Sequence, residues 1–345
     1  MSKAETPLLE VRDLRVSFRT EDGVVQAVDD LSLTVAAGEI LGIVGESGSG
    51  KTVSMMAVMR LIRDPNAMIE GQVLYRGRDL MGLSKNEIRS VRGREIAMIF
   101  QDPMTALAPV YTVGWQIAEQ IQAHERLSRS QVRTRVVELL DEVGIANPDR
   151  RADEYPHQFS GGMRQRVMIA MALSCNPSLL IADEPTTALD VTIQAQILEL
   201  LKRLRRDHGS AIVLITHDMG VVADLAERVA VMYAGRVIEE APKASLFRDS
   251  QHPYTWGLLG SVPRVDRPRL RRLVAIPGAP PSPLAPPEGC RFAPRCVHCF
   301  DLCSTRPELL ERAMPGHKDA CHLGLEVRPA LRQLSLETEP RREGA

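Results

Sequence analysis

The stretch Gly45-Glu-Ser-Gly-Ser-Gly-Lys51-Thr52 fits the phosphate-binding pattern G-x-x-x-x-G-K-[ST], and we call it the P-loop. An apolar run at 39–44 fits a buried parallel strand before it, and apolar residues at helical spacing follow it. Glycines let backbone N–H groups surround phosphate oxygens, and a helix start adds partial positive charge. We therefore expect Lys51 to contact the β- and γ-phosphates and Thr52 to offer its hydroxyl to Mg²⁺. A chance glycine-rich turn is the alternative, and the strand and helix around the loop disfavour it.

The composition is that of an ordinary globular protein, with 44% hydrophobic and 25% charged residues. Its 345 residues suffice for one large domain with an appendage, or for two domains. The formal net charge of −1 and the pI near 6.7 give no electrostatic case for a nucleic-acid partner. Because the chain shows neither an apolar run of about 18 residues nor an apolar signal core, we expect a cytoplasmic protein that reaches membranes through a partner.

Three apolar runs that predict strands each end in a polar side chain: Gln101, the pair Asp183 and Glu184, and His217. Ligand groups gather at the carboxyl ends of strands in α/β sheets. Beside a phosphate loop, Asp183 would hold Mg²⁺, Glu184 would polarise the attacking water, and His217 would reach the γ-phosphate or orient Glu184. The amide of Gln101 can reach Mg²⁺ or that water. Taken singly, each also fits a structural role, as a turn cap, a solvated turn or a structural histidine.

Two further stretches suggest contacts to a nucleotide. Ser160-Gly161-Gly162 opens a helix that the apolar spacing extends to about Cys175, and a helix start with exposed backbone N–H groups is a second anion site. A plain helix cap is the alternative. Phe18 ends an alternating run and offers an aromatic face to adenine, while a strand-end core position is equally compatible with its place.

The remaining pattern gives a coarse order of elements. Alternating runs at 8–18 and 27–35 predict two strands with one wet face, and 71–83 predicts a short hairpin. Residues 103–173 are mostly helical in pattern and interrupt the strands, which predicts an inserted helical lobe. Residues 229–239 predict a closing hairpin.

The order of these motifs, from 8 to about 247, resembles the nucleotide-binding subunits of ABC transporters. The resemblance implies an α/β fold: a P-loop NTPase (RecA-like) ABC nucleotide-binding domain with an antiparallel β subdomain and an inserted helical subdomain, plus a small Cys-rich C-terminal extension. It divides the chain into an ATPase domain at 1–250 with the helical insert at about 103–173, an extension at 251–327, and a flexible tail at 328–345.

The same resemblance implies that two such domains pair head to tail around two ATP molecules. Glu184 would be the catalytic base, His217 the γ-phosphate contact, and Gln101 the sensor that links ATP to the membrane partner. Every catalytic position matches, including Ala188-Leu189-Asp190, so an active site is expected. The implied ATP-binding residues are Phe18, Gly45, Glu46, Ser47, Gly48, Ser49, Gly50, Lys51, Thr52, Ser160, Gly161, Gly162 and Asp190, and the implied Mg²⁺ ligands are Thr52, Gln101 and Asp183.

A narrower resemblance comes from residues 92–107 and from His252-Pro253-Tyr254-Thr255, which look like the bacterial dipeptide/oligopeptide importer ATPases. Ala108 departs from that pattern, since those relatives usually carry asparagine there. The resemblance implies an ATP-hydrolysing subunit on the cytoplasmic face of the membrane that energises peptide import. It also implies a paralogous ATPase or a second copy, two transmembrane permease subunits and an extracytoplasmic substrate-binding protein.

Three alternatives to peptide import stay open at this point. Nickel and other small-solute importers share this branch. A soluble ABC ATPase of DNA repair or translation is a rival, but such relatives typically carry two nucleotide domains or a long coiled coil, and this chain has neither. A regulatory module that uses its cysteines as a sensor is another rival.

A proline-rich strap at 274–287 precedes five clustered cysteines, and we call it the proline strap. Clustered cysteines in a reducing compartment favour a metal over disulfides. Zinc would favour Cys296 and Cys299 with His298 or His317 nearby, an iron–sulfur cluster needs four converging thiolates, and a lobe of spare thiols is the third possibility. The importer resemblance implies a [4Fe–4S] cluster, with Cys299 outside the pattern. The implied ligands are Cys290, Cys296, Cys303 and Cys321.

Overall fold

The computed structural model describes residues 6–187, 189–261 and 276–337. Parts of the sequence-based predictions lie outside the described residues: residues 1–5 of the ATPase domain, Ala188, residues 262–275 of the extension with the first two residues of the proline strap, and residues 338–345 of the tail.

The described part of the chain forms strands and helices with the following bounds. The strands are β1 (Leu9–Thr20), β2 (Gly23–Val35), β3 (Ile40–Val44), β4 (Ala67–Tyr75), β5 (Arg78–Asp79), β6 (Ile96–Ile99), β7 (Leu179–Asp183), β8 (Ala211–Thr216), β9 (Arg228–Tyr233), β10 (Arg236–Pro242), β11 (Leu310–Met314) and β12 (His317–Asp319). The helices are α1 (Lys51–Val58), α2 (Lys85–Val91), α3 (Pro103–Ala106), α4 (Val113–His124), α5 (Arg129–Glu142), α6 (Pro148–Arg151), α7 (Gly161–Leu173), α8 (Val191–His208), α9 (Met219–Leu225), α10 (Lys243–Asp249), α11 (Pro253–Gly260) and α12 (Arg328–Glu337).

Local sequence explains where many of these helices begin and end. Ser128 and Gln131 form a capping box at the start of α5, and Asp218 accepts hydrogen bonds from two N–H groups at the start of α9. Helix α8 ends at Gly209, whose φ of 68° is the left-handed conformation that stops a helix. Arginines in the last turn of α8 complement the negative end of the helix dipole.

One compact unit includes residues up to Glu10, Thr34–Ile40 and Val73–Ile215. In it, β6, β7 and β8 run parallel, with Ile96 opposite Leu179 and Leu179 opposite Ala211. All residues of these three strands are buried, so continuous apolar runs form them. Helices α3 to α7 follow β6, which confirms the inserted helical subdomain.

The second compact unit includes Val11–Leu33, Leu41–Gln72 and the chain from Thr216 onward. Strand β3 runs parallel to β9, β9 is antiparallel to β10, and β10 is antiparallel to β12. The hairpin of β9 and β10 confirms the predicted closing hairpin, and β11 adds a last antiparallel pair. The C-terminal part of the chain therefore extends the sheet that contains the strand before the P-loop.

Aromatic side chains dominate the core of this second unit beside β9. Tyr233 lies 4.6 Å from Tyr254 and 5.3 Å from Phe292 between ring centroids. All three residues are buried in one apolar cluster, against which Ile276 and two of the cysteines are packed. The cluster therefore combines residues of β9 with residues from the C-terminal part of the chain.

The tail that was expected from Arg328 onward begins instead with helix α12. Arg328 is only 2% exposed, and it lies 2.9 Å from the buried carboxylate of Asp319. Its guanidinium also donates to the carbonyl oxygen of Leu323 at 2.8 Å. A buried, paired charge fixes the start of this helix, and composition does not reveal such a pair. No helix in the described part of the chain combines the length and apolar character that a membrane span needs.

Candidate active site

The P-loop lies between β3 and α1 and needs glycine at two positions in particular. Gly45 has φ of 156°, and an added Cβ would lie 2.2 Å from the carbonyl oxygen of Met232. Gly50 has φ of 96°, and its Cβ would lie 2.5 Å from the carbonyl oxygen of Ala27. Any side chain would collide with backbone at both places. The motif glycines therefore allow the loop to turn tightly against its neighbouring strands.

Lys51 is the first residue of α1 and is 5% exposed. Its Nζ donates to the carbonyl oxygens of Gly45 at 2.7 Å and Glu46 at 2.9 Å. No side chain caps the N-terminus of α1. An ammonium group beside backbone N–H groups and the positive end of a helix dipole makes a site suited to phosphate.

Glu184 follows β7 and carries the carboxylate among the predicted catalytic residues. Its Oε2 accepts hydrogen bonds from Nε2 of Gln101 at 3.0 Å and from Oγ1 of Thr187 at 2.9 Å. Its backbone has φ of 46°, a conformation that costs energy in a residue with a side chain. The N–H group of Glu184 donates to the carbonyl oxygen of Ile215 at 2.9 Å and helps to hold this turn. The structure thus places the amide of Gln101 beside Glu184 and adds Thr187, which the sequence analysis missed.

Asp183 is the last residue of β7 and is 2% exposed. Its carboxylate, the hydroxyl of Thr52 and the amide of Gln101 offer hard oxygen donors, the ligands that Mg²⁺ prefers. Each of these donors is therefore of a type that fits the predicted ion. His217 directly follows β8 and is exposed, and Phe18 is half-buried near the end of β1.

Ser160 and Asp190 cap two helices that begin side by side. Oγ of Ser160 accepts from the N–H group of Met163 at 3.4 Å, and Oδ1 of Asp190 accepts from that of Ile193 at 3.0 Å. A Cβ added to Gly162 would lie 2.8 Å from Cγ2 of Ile193. Gly162 is therefore required for the packing of α7 on α8, whereas the exposed Ser160 keeps the helix start open to solvent.

Glu46 of the P-loop has partners that the sequence analysis missed. Arg295 donates to both of its carboxylate oxygens, at 2.6 and 3.1 Å. The hydroxyl of Tyr254 accepts from the N–H group of Glu46 at 2.9 Å, and burial raises the pKa of Tyr254, which keeps that hydroxyl neutral. Both residues lie in segments that resemble the importer ATPases, but their sequence separation from Glu46, 249 and 208 residues, hides the contact.

The predicted [4Fe–4S] cluster on Cys290, Cys296, Cys303 and Cys321 is wrong, and the zinc alternative finds no support in the described residues. All five clustered cysteines are described, yet no group of three or more His, Cys, Asp or Glu in the described ranges is arranged to hold a metal ion. Burial raises the pKa of Cys296 to about 12 and that of Cys321 to about 11, so both thiols stay protonated at neutral pH. Cys290 and Cys296 instead pack against the aromatic core, and Cys299 is exposed.

Comparison with known proteins gives matches along most of the chain. The family model of the ABC transporter matches residues 28–187, and that of the oligopeptide/dipeptide transporter C-terminal region matches 238–303. The probable peptide ABC transporter ATP-binding protein y4tR of Sinorhizobium fredii is 52% identical over 321 residues, which are 93% of this chain and 96% of that protein. The oligopeptide transport ATP-binding protein OppD of Bacillus subtilis is 55% identical over 298 residues, which are 86% of this chain and 83% of that protein.

The fold of this chain also matches a solved structure of an ATP-binding cassette. The dimeric post-hydrolysis state of the ATP-binding cassette MJ0796, bound to ADP and Pi, superposes with a TM-score of 0.62 at 29% identity. The match covers 68% of this chain and 98% of that cassette.

Proposed function

Because this chain belongs to the ABC transporter ATP-binding family, we propose that it binds and hydrolyses ATP to power the import of di- and oligopeptides. The observation that carries the proposal is the identity of 52%, over 93% of this chain, to a relative named as a probable peptide ABC transporter ATP-binding protein. A second relative is named as an oligopeptide transport ATP-binding protein, and the C-terminal family model is that of oligopeptide/dipeptide transporters. These names favour peptides over nickel or other small solutes as the cargo.

The P-loop is the proposed cradle for the triphosphate of ATP. Backbone N–H groups around Gly48 and Gly50 face the phosphates, and Lys51 compensates the charge of the β- and γ-phosphates. Mg²⁺, when it is bound with ATP, neutralises charge that develops on the phosphate oxygens. Thr52, Gln101 and Asp183 are the residues proposed to hold it, which their oxygen chemistry supports.

Glu184 is the proposed general base for hydrolysis. The hydrogen bonds from Gln101 and Thr187 fix the direction of its carboxylate, so that it can accept a proton from the attacking water. His217 is the proposed contact to the γ-phosphate. In a pair of such domains, Ser160 and the glycines after it would complete the site of the partner subunit, and the exposed start of α7 supports this role.

The chain works with partners in this proposal. The family implies a dimer of ATPase subunits, formed with a second copy or a paralogue, and two membrane permease subunits. A substrate-binding protein on the outer side would deliver the peptide. The ATPase would then be a peripheral protein on the cytoplasmic face of the membrane, where Gln101 couples ATP to the permeases.

Vesicles that contain the full-length chain with its permease and second ATPase subunits test this function. We expect ATP-dependent uptake of labelled peptides, and we expect Lys51→Ala to weaken ATP binding at least about tenfold through loss of a charged hydrogen-bond donor. Lys85→Ala, at the exposed start of α2, is the control and should bind and transport normally. Uptake of nickel without uptake of peptide would contradict peptides as the cargo. Absence of ATP binding by the wild-type chain would overturn the whole proposed function.

A further inference from the structure

The proline strap lines a cavity beside the P-loop. The cavity has a volume of about 160 Å³, and the P-loop residues 46–49 form one side of it. Residues 280–283 and Pro286 of the strap form another side, and the rest of the lining comes from residues 25–27 of β2 and from Tyr233, Ala234 and Arg291. All of these residues belong to the second compact unit. The C-terminal part of the chain therefore contributes a wall directly next to the phosphate-binding loop.

Several hydrogen bonds fix the strap in this position. The carbonyl oxygen of Pro283 accepts from the N–H group of Gln26 at 2.9 Å, which ties the strap to β2. Nearer its beginning, the carbonyl oxygens of Ile276 and Pro277 accept from Arg295 at 3.3 and 2.8 Å. Proline also restricts the backbone of the strap. The wall is thus held at two points rather than lying loosely over the cavity.

Arg295 connects the strap to the P-loop. Its side chain is 4% exposed and donates at once to the strap carbonyls and to both carboxylate oxygens of Glu46. A two-pronged arginine–carboxylate pair fixes direction as well as distance. The guanidinium also lies over the ring of Tyr233, 5.8 Å from its centroid. A single buried side chain therefore sets the spacing between the strap and the P-loop.

The chemistry of the cavity suits the nucleoside part of a nucleotide. Proline rings, Val25 and Ala27 give it apolar walls, while Gln26, Ser282 and Arg291 supply polar groups. Small-molecule sites combine apolar walls with a few polar groups in this way. A cavity of about 150 Å³ holds one benzene-sized ring. The volume beside residues 46–49 is thus sufficient for a ring of the ligand whose phosphates the P-loop binds.

We propose that the proline strap is a wall of the nucleotide site and packs against the nucleoside of ATP. This inference rests on the proposed function, because it requires that the P-loop bind the triphosphate. The strap then adds affinity for the nucleoside, whereas the P-loop binds the phosphates. Loss of the strap wall weakens the binding of nucleotides. It leaves the binding of ligands that consist of phosphate alone unchanged.

Equilibrium binding of ATP and of inorganic tripolyphosphate to the full-length chain, both with Mg²⁺, tests the proposal. The test variant is Pro280→Ala with Pro281→Ala, which removes apolar wall. We expect its Kd for ATP to rise roughly three- to tenfold, as the loss of a few buried methylene groups gives. Its Kd for tripolyphosphate should stay at the wild-type value. The matched control is Pro287→Ala, on the same strap but outside the cavity lining, and it should bind both ligands as the wild type does.

Ser282→Trp is a second variant, which fills the cavity instead of enlarging it. It should weaken the binding of ATP without weakening the binding of tripolyphosphate. Retained binding of tripolyphosphate shows that the variant is folded. Unchanged ATP binding in both variants would overturn the proposal. Equally weakened binding of ATP and tripolyphosphate would also overturn the proposal, because the strap would then only support the P-loop. A wild-type chain that bound neither ligand would instead overturn the proposed function itself.

Discussion

Glu184 is the residue on which hydrolysis should depend most. Its carboxylate accepts two hydrogen bonds on one oxygen, and its backbone is held in a costly conformation. Glu184→Gln keeps the size of the side chain but removes its ability to take a proton. We expect phosphate release to fall by about 100-fold or more, the range for loss of a general base. ATP affinity should be retained, and ATP should trap the closed pair of subunits, which size-exclusion chromatography can detect. Near-normal turnover in this variant would contradict the role of Glu184 as base.

His252 should make the stability of the chain depend on pH. It is buried, and its Nδ1 accepts from the N–H group of Tyr254 at 3.1 Å at the start of α11. Burial, together with the charge of Arg328, lowers the pKa of His252 from 6.5 to about 3. Between these two values the unfolded chain binds a proton at His252 and the folded chain does not. The stabilisation is therefore complete above pH 6.5 and is lost as the pH falls towards 3.

His252→Asn isolates this effect, because asparagine can keep the cap of α11 without titrating. Between pH 6.5 and 5, the wild-type free energy of unfolding should fall by about 2 kcal/mol more than that of the variant, at about 1.4 kcal/mol per pH unit. Urea unfolding at a series of pH values measures the difference. If the free energies of unfolding of the two proteins change with pH in parallel, His252 is not the titrating group.

At the scale of elements, the contact of α7 with α8 depends on one glycine. A Cβ on Gly162 would lie 2.8 Å from Cγ2 of Ile193, whereas a Cβ on Gly161 would meet nothing within 4 Å. We expect Gly162→Ala to lower the free energy of unfolding by about 1–3 kcal/mol, as overpacking does. Gly161→Ala is the matched control and should be neutral, since it adds the same methyl group one residue earlier. Urea unfolding of both variants gives the comparison, and equal stabilities would contradict the packing role of Gly162.

The elements differ in how far their own sequence predicts them. Strands such as β7 and β8 are continuous apolar runs, and α7 begins at a capping serine, so local signals suffice. Strand β12 has three residues, and its pairing with β10 is a contact between distant segments. Helix α12 lies in a charged stretch that suggests a tail, and only the ion pair of its first residue with Asp319 explains its start. Local sequence patterns therefore predict an element that is long or capped. They do not predict an element whose formation depends on a partner far away in the sequence.

The candidate site divides in the same way. The P-loop and the order of Gln101, Glu184 and His217 follow from motif spacing, because each residue type is tied to its place on a strand end. The partners of Glu46 do not, since Arg295 and Tyr254 come from the far end of the chain. The cysteine cluster shows the opposite failure. Closeness in sequence suggested a metal site, but in the folded chain Cys290 and Cys296 pack against the aromatic core, and burial raises the pKa values of Cys296 and Cys321.

At the scale of the whole molecule, the C-terminal region and the P-loop belong to one compact unit. Strand β12 joins the sheet through β10, and Arg295 reaches back to Glu46. The boundary predicted at residue 250 stays a prediction about domains, but these contacts imply that the two regions stabilise each other. A double-mutant cycle with Glu46→Gln, Arg295→Met and the two together can measure that coupling in the full-length chain.

We expect a coupling free energy of about 1–3 kcal/mol for Glu46 and Arg295, because the pair is largely shielded from water and binds through two hydrogen bonds. The pair of Arg78 and Glu87 is the control, since both side chains are about half exposed. That surface pair should show a coupling below about 1 kcal/mol. Urea unfolding of the four proteins of each cycle provides the measurement. If the effects at Glu46 and Arg295 add within about 0.5 kcal/mol, the C-terminal region does not stabilise the P-loop through this pair.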